Sequence, residues 1–150
     1  MKLICAVESR CESALRLPSA SKGYEEALKI YRDLAEENPK AYLPDVATTL
    51  NNLANLHSDN TEYEKASEEY EEALKIYRNL VKENPKAYLH YMANTLNNLA
   101  ILYQDDIPNK ILSLKYANEA IEVIGKCNNT PFVRKLLERA KRIIEIWNNK

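Results

Sequence analysis

The chain contains a long internal repeat, and this repeat limits the fold more than any other feature of the sequence. Residues 24–56 recur as residues 70–102 at a constant offset of 46 positions, and 25 of the 33 aligned pairs are identical. Such periods are typical of solenoids, in which each unit buries its apolar face against its neighbours. Because 150 residues hold only a short array, we predict a single domain over residues 1–150.

Each unit contains two amphipathic helices. Apolar residues from Pro85 to Tyr103 are spaced three and four positions apart, as on one face of a helix. The same spacing runs from Tyr63 to Val81, over about five turns. With two glycines and six prolines, the composition also favours long helices over a turn-rich sheet. The predicted fold class is therefore all-α.

Short sequence signals mark the predicted helix ends. Asn38, Asn84 and Thr130 each precede a proline, which predicts an N-cap followed by proline at the first helical position. Thr61, with Glu64 three residues later, predicts a capping box. Gly125 predicts a helix end, where glycine can adopt the left-handed conformation.

The repeat also predicts how the chain divides. We assign residues 1–37 to a degenerate first unit, 38–83 to a second unit, 84–126 to a third unit and 130–148 to a capping helix with a polar back. The third unit matches the second only if one residue is inserted near 105–108. Pro18 and Gly23 weaken the helix prediction in the first unit.

The order of large, small and aromatic residues in each unit resembles the tetratricopeptide repeat. The matching positions are Leu50, Leu53, Ala54, His57, Ala66, Tyr70 and Ala73. The 46-residue unit is longer than that family's usual 34 and is similar to the longer repeats of kinesin light chains. The resemblance implies a right-handed α-α superhelix of about three helix-turn-helix units plus a C-terminal capping helix. It also implies a concave groove, lined by the first helices, that binds peptides.

Under this resemblance, an asparagine-rich strip of the first helices faces the groove. The candidate peptide-binding residues are Thr48, Asn51, Asn52, Asn55, Asn94, Asn97, Asn98 and Ile101. Asparagine costs about 0.5 kcal/mol relative to alanine inside a helix, so its repeated use suggests a role for the amides. An amide both donates and accepts, which suits the backbone of an extended peptide. Hydrogen bonds between neighbouring helices are an alternative role, and plain solvation is a third.

The charges near this strip narrow the class of ligand. No lysine or arginine lies between Tyr42 and His57 or between Tyr88 and Asp105, which argues against a clamp for a peptide C-terminal carboxylate. Aspartates at the groove edge favour neutral or mildly basic ligands. They are Asp45, Asp59, Asp105 and Asp106.

The tyrosines are predicted to be mainly structural. Tyr24, Tyr31, Tyr70 and Tyr77 recur at core spacing in the second helices. Partial exposure is predicted for three others, which are Tyr42, Tyr88 and Tyr91.

Composition argues against several other classes of protein. The 21 basic and 22 acidic residues leave a net charge of −1, which is unsuited to nucleic acid or to an anionic membrane surface. Three cysteines without a Cys-x-x-Cys pair argue against a disulfide framework or a zinc site and fit the cytoplasm. The apolar run at residues 3–7 is too short for a signal peptide, and no segment is long enough to span a membrane.

No catalytic motif is visible. The two histidines lie 33 residues apart, and two glycines cannot form a phosphate loop. We therefore predict no enzyme activity, no metal and no cofactor. The leading hypothesis is an interaction module for a protein or peptide partner. The alternatives are self-assembly through the exposed ends of the array and a regulatory fragment of a larger protein.

Overall fold

The computed structural model describes the backbone of residues 2–150 and the side chains of residues 20–150. Six helices follow one another: α1 (Lys2–Glu37), α2 (Pro39–Asp59), α3 (Tyr63–Glu83), α4 (Pro85–Ile101), α5 (Lys110–Ile124) and α6 (Pro131–Asn148). A π-helical turn, Leu102–Asp106, extends α4. The described backbone contains no strand, and the predicted all-α solenoid is confirmed.

Each helix packs against the next one in the chain, and α4 also contacts α6. Alanines with no exposed surface allow the helices to approach closely. They are Ala47, Ala54, Ala66, Ala73, Ala93, Ala100, Ala117, Ala120 and Ala140. Buried leucines such as Leu50, Leu53, Leu96 and Leu99 fill the remaining space. The core is therefore a continuous strip along the stack.

The three predicted N-caps that precede prolines are confirmed. The side chains of Asn38, Asn84 and Thr130 each accept a hydrogen bond from the backbone N–H three residues later, at 3.3, 3.3 and 3.2 Å. Asn109 caps α5 in the same way, at 3.1 Å. Each such cap contributes about 1 kcal/mol. The connections between helices are therefore specified locally.

The capping box predicted at Thr61 is wrong. Helix α3 begins after Glu62, and no side chain caps its first turn. Thr61 instead terminates α2, with a positive φ of 65°. The N–H groups of Thr61 and Glu62 donate to the carbonyls of Ser58 and His57, which is the Schellman pattern for a helix end. A β-branched residue rarely adopts this conformation, so the sequence did not indicate it.

The residue inserted into the third unit is accommodated in the π-helical turn Leu102–Asp106, slightly before the predicted position. A π-turn holds one extra residue without ending the helix. Helix α5 then ends at Ile124, as Gly125 predicts, but Gly125 itself is right-handed, with φ of −59°. Any L-residue could adopt this backbone conformation, so the conformation does not require a glycine at position 125.

Helix α1 differs from its prediction in two ways. Its backbone is helical through Pro18 and Gly23, where the sequence weakens the helix. Tyr24, predicted to be in the core, is 37% exposed. By the 46-residue offset, Ile4, Val7 and Cys11 would occupy the places of Leu50, Leu53 and His57 in a degenerate first helix, but they lie outside the residues whose side chains are described. The division of the chain into units remains a prediction.

Helix α6 buries one side only. The buried residues Val133, Leu136, Ala140, Ile143 and Trp147 face α4 and α5. Four hydrogen bonds anchor it. Gln104 Nε2 donates to the Ile143 carbonyl at 3.1 Å, and Asn97 Nδ2 donates to the Leu136 carbonyl at 2.9 Å. Trp147 Nε1 donates to Ser113 Oγ at 2.8 Å, and Lys110 Nζ donates to the Trp147 carbonyl at 3.2 Å. Most of its exposed residues are charged, namely Arg134, Lys135, Glu138, Arg139, Lys141 and Arg142.

Candidate functional site

Helices α2, α4 and α6 form one layer that is held together by side-chain amides. Asn51 Oδ1 of α2 accepts hydrogen bonds from Thr95 Oγ1 at 3.1 Å and from Asn98 Nδ2 at 3.3 Å, both in α4. Asn97 Nδ2 of α4 donates in turn to the Leu136 carbonyl of α6. The predicted asparagine strip therefore contributes hydrogen bonds between helices, as the alternative interpretation proposed.

Asn97 and Asn51, two of the predicted peptide-binding residues, are buried. Asn97 has no exposed surface, and Asn51 is only 7% exposed. The Oδ1 atom of Asn97 is buried without a hydrogen-bond partner among the described residues. Both side chains are covered by a neighbouring helix: α4 packs against Asn51, and α6 packs against Asn97.

The half-buried amides of Asn55 and Asn98 lie at the edge of this network. Asn98 Nδ2 lies 3.4 Å from Asn55 Oδ1. Asn55 Oδ1 also accepts a hydrogen bond from the Tyr70 hydroxyl. One side of each amide therefore bonds within the protein, while the remaining surface of each side chain reaches solvent.

A polar cleft of about 400 Å³ opens where α2, α4 and α6 meet. We call it the inner cleft. Four of the predicted residues line it together, namely Asn55, Asn94, Asn98 and Ile101. Its other lining residues are Ser58, Asp59, Tyr70, Leu102, Asp106 and Arg139. Half of the eight predicted residues therefore line one cleft.

Thr48 and Asn52 lie outside the inner cleft. Thr48 is an exposed residue of α2, and its hydroxyl lies 3.0 Å from the Tyr77 hydroxyl. Asn52 is half-buried. Neither residue is brought together with the four that converge.

Arg139 is the functional candidate that the sequence analysis missed. It is exposed on α6 and lines the inner cleft beside the amides of α4. The sequence predicts α6 only as a cap with a polar back, which places its charges in solvent. The spacing of Leu136, Ala140 and Ile143 could have indicated the face that docks on α4, and hence that Arg139 lies at its border.

The cleft carries charges of both signs. Asp59 and Asp106 line it together with Arg139. Burial raises the pKa of the Asp106 carboxyl, and the nearby carboxylates of Asp105 and Asp59 raise it further. A hydrogen bond from Ser58 Oγ, at 3.3 Å, opposes that shift. The aspartates therefore make this edge of the cleft a favourable place for a hydrogen-bond donor or a cation.

Aromatic side chains lie near the N-terminal ends of α4 and α6. Tyr91 is 44% exposed and Phe132 is 49% exposed. The ring of His90 lies between them, 4.1 Å from Tyr91 and 6.2 Å from Phe132 between ring centroids. Burial lowers the pKa of His90. The predicted partial exposure of Tyr42, Tyr88 and Tyr91 is confirmed.

Two further observations concern other kinds of site. Among the side chains described, no three His, Cys, Asp or Glu residues lie close enough together to hold a metal ion. Over the part of the chain that the structure describes, no helix is long and apolar enough to cross a membrane.

Comparison with known proteins agrees with this architecture. Residues 16–79 match the family described as Tetratricopeptide repeat. The crystal structure of BtubC (BKLC) from P. vanneervenii is similar in fold, with a TM-score of 0.62 and 24% sequence identity. The similarity covers 90% of this chain but only 59% of the BtubC chain. This chain therefore corresponds to only part of the length of that protein. No curated protein matches this chain.

Proposed function

We propose that this chain is a tetratricopeptide repeat protein and that it binds an extended segment of a protein partner in the inner cleft. Repeats of this family generally mediate protein–protein interaction or scaffolding, and the family is typically non-enzymatic. The family relationship supports a protein partner, while the position of the segment is our inference from the cleft.

The convergence of Asn55, Asn94, Asn98 and Ile101 carries this proposal. Asn94 forms no hydrogen bond to any other residue whose side chain is described, and its amide is half-buried at the cleft. A peptide backbone offers alternating donors and acceptors that an amide can pair with. Ile101 is half-buried and offers an apolar contact beside it.

The charges favour a segment of mixed polarity. Asp59 and Asp106 suit a basic side chain, while Arg139 suits a carboxylate or a backbone carbonyl. This extends the sequence-based expectation of neutral or mildly basic ligands, because the basic residue comes from α6. Thr48 and Asn52 are proposed as outer contacts for a longer segment. Asn51 and Asn97 are proposed to act indirectly, by holding α2, α4 and α6 in register.

We place this binding in the cytoplasm. Cys127 is a free, half-buried thiol, and burial raises its pKa. Such a thiol persists most readily in a reducing compartment.

A peptide library displayed on phage and selected against the full chain tests the proposal. We expect enriched peptides whose affinity falls about tenfold or more, roughly 1.4 kcal/mol, in the double variant Asn94→Ala with Ile101→Ala. The matched control is Asn79→Ala, because Asn79 is an exposed asparagine of α3 that does not line the inner cleft. This control should bind like the unchanged chain.

Titration calorimetry with the enriched peptides decides the outcome. Equal binding by the double variant and the unchanged chain would contradict the assignment of the inner cleft. Failure to enrich any peptide would contradict binding of an extended segment altogether.

A further inference from the structure

Helix α1 exposes an apolar face whose counterpart in α3 is covered. The face contains Tyr24, Ala27, Ile30, Tyr31 and Leu34, and we call it the open face. Tyr24 and Ile30 are 37% and 58% exposed, and the other three side chains are half-buried.

The sequence of α3 shows what this face normally contacts. The strings 24–32 and 70–78 are identical. In α3, Tyr70 and Tyr77 are 3% and 1% exposed, because α2 packs over them. Their hydroxyls reach Asn55 and Thr48 of α2. Helix α1 contacts α2 on its other side, through Leu28 and Ala35, so no equivalent helix covers its open face among the described residues.

Residues 2–23 do not cover the open face. Residues 1–23 are where the repeat predicts a preceding helix, but the backbone from Lys2 to Glu37 is one helix. A continuous helix does not fold back over its own face, so α1 does not cover its open face itself.

The far end of the array is a poor match for the open face. Helix α6 has its apolar side on α4 and α5, and its outer surface carries exposed charges such as Arg134, Lys135 and Lys141. Burying those charges against tyrosine and isoleucine would be costly. Head-to-tail stacking of copies is therefore disfavoured.

The open face is complementary to itself. Tyr24 and Leu34 lie five residues to either side of Lys29, and Ala27 and Tyr31 lie two residues to either side. In an antiparallel pair of α1 helices centred at Lys29, each Tyr31 ring would lie over the small Ala27 of the other copy. Each Tyr24 would likewise meet a Leu34. Large side chains facing small ones are what close helix packing requires.

We propose that two copies of this chain associate through their α1 open faces in a two-fold symmetric, antiparallel pair. A contact of about three helical turns is small, so the dimer forms reversibly rather than permanently. The symmetry closes the assembly at two chains.

Sedimentation equilibrium over a series from low micromolar to sub-millimolar concentration tests this dimer. The mass of the unchanged chain should rise from 17.3 kDa towards twice that value. Ile30→Glu and, separately, Ala27→Glu should each weaken association about tenfold or more, by placing a carboxylate in the contact.

The matched control is Ile111→Glu, the same change at an isoleucine of α5 that is 81% exposed. It should dimerise like the unchanged chain, and circular dichroism should show equal helicity in all variants. A strict monomer at every concentration would overturn the proposal. So would a dimer that survives both α1 substitutions, because its interface would then lie elsewhere.

Discussion

Two identical strings, Tyr24–Arg32 in α1 and Tyr70–Arg78 in α3, occupy different environments in the same molecule. Each string ends in an arginine that pairs with a glutamate of the following second helix, Arg32 with Glu72 at 2.7 Å and Arg78 with Glu119 at 2.6 Å. The string itself therefore supplies the arginine that contacts the following unit. The burial of its tyrosines depends instead on whether another helix packs over the string from the preceding unit.

The largest expected difference between the strings comes from truncating their second tyrosine. Tyr77→Ala should cost about 3–5 kcal/mol, because it leaves a cavity under α2 and removes the contact with Thr48. Tyr31→Ala should cost about 1 kcal/mol, since Tyr31 is half-buried. Urea unfolding of the two variants measures both losses. Equal losses of stability in the two variants would contradict the difference in environment between the two strings.

Alkaline pH should act on the same buried tyrosine. Burial raises the pKa of Tyr77 to about 12, although the hydrogen bond with Thr48 opposes this. Above the unfolded value of about 10, the unfolded chain releases the phenolic proton while the folded chain keeps it. The free energy of unfolding should therefore fall between about pH 10 and pH 12, by roughly 2 kcal/mol for this group.

Urea unfolding at a series of alkaline pH values checks this, with Tyr77→Phe as the partner variant. The phenylalanine has no proton to release, so its stability should decline less steeply with pH. An unchanged slope in Tyr77→Phe would contradict the assignment to Tyr77.

The smallest expected effect concerns the feature that the two strings share. Arg32→Ala and Arg78→Ala should each cost about 0.5 kcal/mol or less, because both ion pairs are substantially exposed. Added salt should shrink both losses. Thermal unfolding at low and high ionic strength would detect the difference. A loss above about 1 kcal/mol in only one variant would show that the pairs are not equivalent.

Local and periodic features were predictable from the sequence. The asparagines before Pro39 and Pro85 determine where α2 and α4 begin, because their caps involve only neighbouring backbone. The apolar spacing likewise predicted the faces of α3 and α6. These signals act within a few residues of one another, so they do not require the tertiary structure.

Features that depend on distant contacts were not predictable to the same extent. Asn97 and Asn98 are adjacent on α4, yet α6 buries one and leaves the other at the inner cleft. Arg139 lines that cleft because α6 packs against α4, and the sequence of α6 indicates this packing only indirectly. Thr61 adopts a positive φ because the end of α2 requires it, against its own preference.

The one-sided apolar surface of α6 constrains how this array could have lengthened. A unit appended after Asn148 would meet the exposed lysines and arginines of α6, whereas a unit inserted at the Glu83–Pro85 junction would meet surfaces that already accept a neighbour. Growth by duplication is therefore easiest in the middle of the chain, and the near-identity of the two interior segments fits such a history.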